Sequence, residues 1–370
     1  MKVLILANFG MGLYKFRKEL IQELVKLNYE VYVSFPKDEY VPLITELGCK
    51  YIETDVDRRG TKPIKDFKLL LSYVKHINEI EPDIVLTYTV KPNIYGGIAC
   101  RITKTPYLSN ITGLGTAIEN EGLMQRVIVS LYKIGLKKAE CIFFQNEPNM
   151  HYFIDEGIIG SNTKVIPGSG VNLSEYEFED YPESDGVIRF LFIGRIMKAK
   201  GINELLEAAI RIRERYSNVE FDLIGFCEEE YSKQLIELDE AGIINYHGQQ
   251  NEVHEYIKNS HATILPSYHE GTANVLLESA STGRPILASN VTGCKETFDE
   301  GISGLGFESK SVDALFDSII DFIELPHGKK KEMGLASRKK MEQEYDRRII
   351  INAYLEQIKR QRGINHELVQ

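Results

Sequence analysis

The chain has 370 residues, of which 43% are hydrophobic and 26% charged, and its formal net charge is −10 at pH 7. This length suits two domains better than one, and the composition excludes a disordered or fibrous protein. The acidic excess argues against a nucleic-acid-binding protein, and no apolar run reaches the roughly 18 to 20 residues of a membrane-spanning helix. Asn8 interrupts the apolar run 1–7, which favours a first strand over a signal peptide, so we expect a cytoplasmic protein.

The first half of the chain alternates short apolar runs with longer periodic ones. The short runs predict strands at 3–7, 30–35, 84–88, 106–110 and 141–145. The longer runs predict helices at 13–27, 64–80 and 122–139, and a further helix after Pro92. Strands separated by helices indicate a parallel sheet that is covered on both faces.

The pattern restarts after a turn-rich and acidic segment near 168–186, which is the predicted hinge. The later strands are predicted at 189–193, 220–224, 244–247, 263–266 and 285–289, and the clearest helices at 202–215, 274–283 and 346–362. The sequence therefore predicts an α/β protein with two Rossmann-like, doubly wound lobes, 1–172 and 173–345. Residues 346–370 are expected to pack back toward the first lobe, and a ligand to bind in the cleft between the lobes, at the carboxyl ends of strands.

The most specific motif is Glu270-Gly-Thr-Ala-Asn-Val-Leu-Leu-Glu278. Glu270 leaves a strand, and Glu278 lies about 12 Å further along the helix that follows. The N-terminus of that helix is suited to phosphate oxygens, and the two carboxylates can accept hydrogen bonds from hydroxyl groups of a sugar and a ribose. The residues predicted to meet the donor at this helix start are Gly271, Thr272, Ala273 and Asn274.

A second motif, Gly194-Arg195-Ile-Met-Lys-Ala-Lys200-Gly201, follows another apolar strand. Arg195 and Lys200 can clamp a diphosphate leaving group and neutralise the charge that grows on it. Lys198 is expected to be merely exposed. The alternative interpretation is a solvated basic loop.

Gly10 and Gly12 follow the first strand, where a turn can bring the backbone close to a phosphate. Lys15 stands where a dinucleotide fingerprint needs its third glycine, and the second strand ends in Ser34-Phe35 without an acidic residue. NAD binding is therefore disfavoured. Gly12 is kept as a candidate donor contact, and a plain tight turn is equally consistent with the pattern.

Loops of the first lobe supply weaker candidates for the acceptor, and a turn of the second lobe supplies a brace for the nucleotide site. The candidate acceptor-side residues are Arg58, Arg59, Lys91, Gly113 and Gly115, and the bracing turn is Gly293-Cys-Lys-Glu296. The five scattered cysteines are expected to be reduced. None of the eight histidines has metal-type spacing, so we expect no metal ligand, and His269 is expected to be a neighbour of the site.

Together, the motifs around Arg195 and Lys200, Glu270 and Glu278, and Gly293 resemble those of retaining glycosyltransferases of family 4, which have the GT-B fold. The likeness covers nearly the whole chain. Segments 88–93, 113–115, 167–172 and 266–271 look like the bacterial branch that makes capsular and exopolysaccharides.

The resemblance implies a nucleoside-diphosphate sugar donor, by default UDP-hexose or UDP-N-acetylhexosamine, with Arg195 and Lys200 on the diphosphate. Glu278 would bind the ribose and Glu270 the sugar hydroxyls. Such enzymes retain anomeric configuration, generally need neither metal nor cofactor, and let the leaving phosphate accept the acceptor's proton. Related enzymes often carry a histidine after the fourth strand, whereas this chain has Thr87-Tyr-Thr-Val90 there.

The resemblance also implies an acceptor sugar on a polyprenyl diphosphate, and hence contact with the inner face of the cytoplasmic membrane. Segment 123–138 combines large apolar residues with four cations, which suits either an interfacial helix or a core helix with a basic edge. Residues 1–172 carry 21 Lys+Arg against 19 Asp+Glu, and the remainder carries 23 against 35, so only the first lobe suits an anionic surface.

Two other functions fit a two-lobed protein. One is a non-hydrolysing nucleotide-sugar epimerase, which needs acid and base groups gathered around the sugar, and the sequence offers no matching set. The other is a non-catalytic ligand-binding protein, which would not ordinarily combine a cationic clamp with two carboxylates.

Overall fold

In a computed structural model of the chain, the structure describes residues 1–57, 62–113, 122–227 and 230–367. Contacts divide the chain into two units: unit 1 comprises residues 1–169 and 348–370, and unit 2 comprises residues 170–347. Each unit contains one sheet in which all paired strands are parallel. This confirms the predicted pair of Rossmann-like parallel-sheet lobes. None of the described helices is both long and apolar enough to cross a membrane.

Unit 1 contains a seven-stranded sheet in the order β3-β2-β1-β4-β5-β6-β7. Its strands are β1 Lys2–Leu6, β2 Glu30–Phe35, β3 Lys50–Glu53, β4 Ile84–Tyr88, β5 Tyr107–Ile111, β6 Cys141–Phe144 and β7 Thr163–Val165. Its helices are α1 Gly10–Lys26, α2 Val41–Thr45, α3 Pro63–Ile80, α4 Gly97–Thr103, α5 Leu123–Gly135 and α6 Glu147–Asp155, and α13 Arg347–Glu367, whose first residue belongs to unit 2.

Helices cover both faces of this sheet because alternate residues of a strand point to opposite sides. Val3 and Ile5 of β1 belong to a core shared with α1 and α13. Leu4 and Leu6 belong to a second core shared with α3, α4 and α5. Helices α3, α4 and α5 therefore form one layer on the face of the sheet that carries Leu4 and Leu6.

Unit 2 contains a six-stranded sheet in the order β10-β9-β8-β11-β12-β13, with one large core and a smaller cluster of Leu191, Ile224 and Ile257. Its strands are β8 Ile188–Ile193, β9 Val219–Ile224, β10 Asn245–Tyr246, β11 Ala262–Leu265, β12 Ile286–Ser289 and β13 Gly304–Phe307. Its helices are α7 Ile202–Arg215, α8 Ser232–Glu240, α9 His254–Asn259, α10 Asn274–Ser281, α11 Val312–Glu324 and α12 His327–Lys340.

Local signals in the sequence explain where several helices begin. Pro63 opens α3, where its fixed φ fits the first turn and its missing N–H costs nothing. The Asn146 side chain accepts a hydrogen bond from the Asn149 N–H at 2.9 Å and caps α6. Ser311 caps α11 in the same way, accepting from the Ala314 N–H at 3.1 Å.

The three strands that the sequence pattern did not predict, β3, β7 and β13, all lie at sheet edges. They contain four, three and four residues. An edge strand has a neighbour on one side only, so it carries no long apolar run and periodicity does not distinguish it from a loop.

Arg284 fixes the segment that leads into unit 2. It is fully buried, and its guanidinium donates to the carbonyl oxygens of Glu179 at 3.1 Å, Asp180 at 2.9 Å and Lys258 at 2.7 Å. Burial lowers the pKa of Arg284 to about 10, and the surrounding carbonyls satisfy the charge. The segment before β8 is thus tied to the body of unit 2.

Helix α13 completes the core of unit 1. Tyr354 is buried, accepts a hydrogen bond from Asn110 Nδ2 at 2.7 Å and packs its ring 4.4 Å from that of Phe143. Ile350 and Ile358 join the same core.

We expect His261 to make the stability of unit 2 depend on pH. Its buried ring accepts a hydrogen bond from the Arg189 N–H at Nδ1, and burial lowers its pKa from 6.5 to about 4. The unfolded chain binds this proton more readily than the folded chain, so the stabilisation is complete above pH 6.5 and is lost as the pH falls toward 4. The expected loss in the free energy of unfolding is about 2 to 3 kcal/mol.

Urea unfolding between these pH values measures the effect. In His261→Asn, the amide oxygen can accept the same N–H but does not titrate, so the pH dependence should be reduced. An unchanged pH dependence in this variant would contradict the assignment.

Candidate functional site

Three loops of unit 2 follow the neighbouring strands β8, β11 and β12 at their carboxyl ends. In parallel sheets, ligands bind at this edge. The sequence-predicted residues of the second lobe lie in these loops or in α10, the next element after β11.

The loop after β8 begins with an unusually close approach between two backbones. Gly225 has φ = 153°, and a Cβ there would lie 1.7 Å from the Gly194 carbonyl oxygen. The pairing with β9 therefore continues past the strand end, as the Ile196 N–H donates to the Phe226 oxygen at 2.9 Å. This fixes the path of Arg195, whose side chain is exposed.

The same loop closes in a short 3-10 turn, Lys198–Lys200, pressed against the loop after β11. Gly201 has φ = 70°, and a Cβ there would lie 2.1 Å from the Pro266 carbonyl oxygen. The Tyr268 N–H donates to the Ala199 oxygen at 3.0 Å. The two loops are thereby held together.

The structure brings Lys200 and Glu270 into a direct ion pair, with the Lys200 ammonium on Glu270 Oε1. The side chains are only 19% and 13% exposed. The Ser267 hydroxyl donates to the same oxygen at 2.7 Å. Glu270 Oε2 accepts no hydrogen bond from any described residue, so it can accept one from a ligand hydroxyl.

The loop after β12 supports Glu270 from its other side. The Glu270 N–H donates to the Thr292 oxygen at 3.3 Å. Gly293 has φ = 85°, and a Cβ there would lie 2.5 Å from the Glu270 carbonyl oxygen. The Gly293 N–H donates to Glu296 Oε2 at 2.8 Å, so the turn is closed by its own carboxylate.

Helix α10 begins at Asn274, where the sequence predicted a helix start. The Ala273 N–H donates to the Gly293 oxygen at 2.8 Å, so this amide is already used inside the protein. The N–H groups of Thr272 and Asn274 donate to no described residue. These two amides, rather than that of Ala273, can serve an anion at the helix N-terminus.

Glu278 lies about one turn along α10 and is half-buried. Its partner is Tyr176, whose hydroxyl donates to the carboxylate. Burial, and then the charge of Glu278, raise the pKa of Tyr176. Tyr176 lies in an acidic aperiodic stretch, which is why no sequence pattern identified it.

Other residues that the sequence analysis missed hold the loops in place. The Tyr268 hydroxyl donates to Glu204 Oε1 at 2.8 Å, which ties the β11 loop to the first turn of α7. Ser267 also belongs to this group. Their sequence signal is that both lie in segment 266–271, which carries part of the family resemblance.

In unit 1, the glycines after β1 serve packing. The Gly10 N–H donates to Asp38 Oδ2 at 2.6 Å, and a Cβ on Gly10 would lie 2.4 Å from Asp38 Oδ1. A Cβ on Gly12 would lie 2.7 Å from the Phe9 ring. Both glycines lie in the first turn of α1 rather than in a tight turn, and Gly12 stays a candidate donor contact.

Lys91 is also engaged within the protein. Its ammonium lies 2.6 Å from Asp66 Oδ1, and the Tyr95 hydroxyl donates to Asp66 Oδ2 at 3.1 Å. Gly113 is the second residue after β5. The candidate residues Arg58, Arg59 and Gly115 lie outside the described residues.

The segment after β4, where the family resemblance implies a histidine, carries backbone strain. Thr89 has φ = 71°, a left-handed conformation that a β-branched residue rarely adopts. The Asn93 N–H donates to the Thr89 oxygen at 3.0 Å and leads into a π-helical turn, Pro92–Gly96. Strained residues and π-helical turns are frequent at functional sites.

Two family profiles match the chain. The family described as "Glycosyl transferases group 1" matches residues 174–340, and the family described as "Glycosyl transferase 4-like" matches residues 2–146. The first match contains the three loops described above.

Curated relatives span most of the chain. The N,N'-diacetylbacillosaminyl-diphospho-undecaprenol alpha-1,3-N-acetylgalactosaminyltransferase of Campylobacter jejuni is 29% identical over 96% of this chain and 97% of its own length. The UDP-Gal:alpha-D-GlcNAc-diphosphoundecaprenol alpha-1,3-galactosyltransferase of Escherichia coli is 27% identical over 71% of this chain and 72% of its own length. The capsular polysaccharide biosynthesis glycosyltransferase CapM of Staphylococcus aureus is 25% identical over 79% of this chain and 80% of its own length.

Solved structures share the fold. A glycosyltransferase from Rickettsia africae has a TM-score of 0.82 at 18% identity, covering 97% of this chain and 98% of its own. Anabaena HepE in complex with UDP and glucose has a TM-score of 0.80 at 18% identity, covering 97% of this chain and 99% of its own.

We predict that Gly293→Ala destabilises unit 2 more than Gly301→Ala. Both glycines have positive φ, but a Cβ at Gly301 meets no atom within 4 Å, whereas one at Gly293 meets the Glu270 backbone. Both substitutions place alanine at a positive φ, so this strain is common to the two variants. The difference between their free energies of unfolding therefore measures the collision of the new Cβ at position 293 with the Glu270 backbone, which we expect to cost about 1 to 3 kcal/mol. Urea unfolding of the two variants measures it, and equal losses would contradict the close approach to Glu270.

Proposed function

Because the chain belongs to the glycosyltransferases, with a 4-like domain followed by a group 1 domain, we propose that unit 2 holds a nucleoside-diphosphate sugar. The proposed donor is UDP-hexose or UDP-N-acetylhexosamine, and the proposed acceptor is a polyprenyl-diphosphate-linked sugar or oligosaccharide in bacterial surface polysaccharide synthesis. The names of the C. jejuni and E. coli relatives support this acceptor class, and the UDP and glucose bound to the Anabaena protein support the donor.

The observation that carries the donor proposal is the cluster of Lys200, Glu270 and Ser267 at the carboxyl edge of the sheet. A lysine ammonium has three N–H donors, and Glu270 occupies one of them. The others can donate to diphosphate oxygens while the carboxylate stays beside them to accept from sugar hydroxyls. Lys200 and Glu270 would thus contact the two groups on either side of the glycosidic bond that breaks, the diphosphate and the sugar.

Bond cleavage moves negative charge onto the departing diphosphate. Lys200 and the exposed Arg195 are proposed to neutralise that charge, and the Thr272 and Asn274 amides to bind phosphate oxygens. Glu278, held by Tyr176, is proposed to accept from the ribose. The reaction is proposed to retain anomeric configuration, with the leaving phosphate accepting the acceptor's proton and no metal taking part.

We expect Arg195→Ala, Lys200→Ala and Glu270→Ala each to lower kcat by about 10²- to 10³-fold, because each removes a group that acts on developing charge or holds the sugar. Lys233→Ala and Glu240→Ala, on the surface of α8, are matched controls and should keep normal turnover. Sugar transfer from UDP-, GDP- and dTDP-linked donors is the measurement, with thermal melting to verify the fold.

Near-normal rates in all three variants would refute the site. The same assay without acceptor separates the rivals: an epimerised donor sugar would favour the epimerase. Donor binding without turnover on any acceptor would favour a binding protein.

We further propose that the protein works in the cytoplasm against the inner face of the membrane and docks through the α3–α4–α5 layer of unit 1. Exposed apolar side chains are concentrated there, at Ile64, Phe67 and Leu71 of α3, Ile102 of α4, and Leu123, Met124, Val127 and Ile134 of α5, with exposures from 46% to 80%. Contiguous exposed apolar surface marks interaction sites.

Helix α5 has the pattern of an interfacial helix. At about 100° per residue, Leu123, Val127 and Ile134 share one side within about 40°. The buried Val129 and Tyr132 point the other way, into the core. The helix has Arg126 and Lys133 but no acidic residue, which suits an anionic leaflet.

We expect Leu123→Gln/Val127→Gln to weaken binding to anionic vesicles about tenfold, because less apolar surface enters the membrane. Ile236→Gln on α8 of unit 2, where the side chain is 54% exposed, is the matched control. Liposome flotation measures the effect. If the wild-type protein does not bind the vesicles but transfers sugar normally to a soluble acceptor, the docking proposal is contradicted.

A further inference from the structure

A cavity of about 570 Å³ lies in unit 1 beside the docking layer, at the amino-terminal edge of the sheet. Its position follows from Tyr107, the first residue of β5, and Glu140, which directly precedes β6. The volume is in the range of small-molecule sites, about 300 to 1,000 Å³. The candidate loops of unit 1, by contrast, follow the carboxyl ends of the strands.

Three cations line this cavity: Arg101, Lys104 and Lys138. Lys104 and Lys138 form no ion pair with any described residue. The Arg101 Nη1 donates to the Ile134 carbonyl oxygen at 2.7 Å, which leaves the other guanidinium N–H groups for a ligand. The only acidic residue among the lining residues, Glu140, already accepts a hydrogen bond from Gln361 at 3.2 Å. The cavity is therefore cationic.

The rim of the cavity is apolar and continues the docking layer. Ile102 lines the cavity and is 59% exposed, and the neighbouring Ile134 is 47% exposed. Lys104 adds strain, since its φ of 59° is a left-handed conformation that favours glycine. A cationic pocket with an apolar rim matches a molecule that has a phosphate at one end and hydrocarbon at the other.

We infer that this cavity binds the phosphate head group of an anionic membrane phospholipid, with the acyl chains lying over Ile102 and Ile134. The inference rests on the proposed membrane docking and deepens it. The cavity would bind one lipid molecule specifically, in addition to the general attraction between a basic protein surface and an anionic membrane. Charge-assisted hydrogen bonds to phosphate would supply the added affinity. The occupant is an ordinary lipid rather than the acceptor, because the strands separate the cavity from the loops at their carboxyl ends.

The test compares two double variants that each remove two positive charges from this side of unit 1. Lys104→Ala/Lys138→Ala removes cations of the cavity, and Lys133→Ala/Lys137→Ala removes exposed cations outside its lining. Flotation uses phosphatidylcholine vesicles with and without phosphatidylglycerol. We expect the cavity pair to lose about tenfold more affinity for phosphatidylglycerol vesicles than the control pair.

Thr105→Trp keeps every cation but fills the cavity, and it should weaken binding to the same extent as the cavity pair. Glycerol phosphate should compete with the vesicles more strongly than sodium chloride of equal ionic strength. Equal losses in the two lysine pairs would overturn the inference, because diffuse attraction would then explain the binding. Tight binding of inorganic phosphate without any effect on flotation would also overturn it.

The vesicle assay needs neither donor nor acceptor, so its result is separable from the proposed transfer reaction. Thermal shift of the wild-type protein by UDP reports on unit 2. If UDP does not shift the melting temperature but lipid binding is intact, the proposed donor is contradicted. If UDP shifts the melting temperature but the cavity variants bind lipid as the wild-type protein does, the lipid site is contradicted.

Discussion

The ion pair between Lys200 and Glu270 joins two loops that are far apart in the chain, and the proposed donor site depends on it. Both side chains are largely buried. Burying an unpaired charge costs several kcal/mol of desolvation free energy, so each of the two residues offsets the cost of burying the other. The pair also keeps a cation and a carboxylate side by side, which is the combination that a sugar diphosphate needs, since it presents anionic oxygens next to hydroxyl groups. Ser267 fixes the orientation of the carboxylate.

The loops that carry this pair are positioned by backbone contacts that only glycine permits. Gly201, Gly225 and Gly293 each have positive φ and each lie where a Cβ would collide with a neighbouring carbonyl oxygen, at 2.1, 1.7 and 2.5 Å. Side-chain packing tolerates some adjustment, whereas these backbone approaches leave little room for it. The unit thus holds Arg195 and Glu270 on rigid supports before any ligand arrives, which is what catalysis by positioned charge requires.

The central strands and the strand-exit loops were predictable from the sequence because apolar runs and turn residues are local signals. Lys200 and Glu270 were each singled out, yet their pairing was not. It depends on β8 lying next to β11, and no local pattern encodes strand order. The Ala273 amide illustrates the same limit, because its acceptor on Gly293 comes from another loop. Tyr176 has no periodic or motif context, and only its contact with Glu278 in the fold connects it to the site.

Helix α13 has a consequence for synthesis of the chain. It follows unit 2 in sequence, yet its Tyr354 packs against Phe143 and bonds to Asn110 in unit 1. The first unit to leave the ribosome therefore lacks part of its core until the 178 residues between Ser169 and Arg348 have been made. Unit 2 can fold during that interval, since its contacts close within residues 170–347. Until α13 is made, Tyr88 of β4, Asn110 of β5 and Phe143 of β6 lack the Tyr354 side chain that they contact in the folded unit.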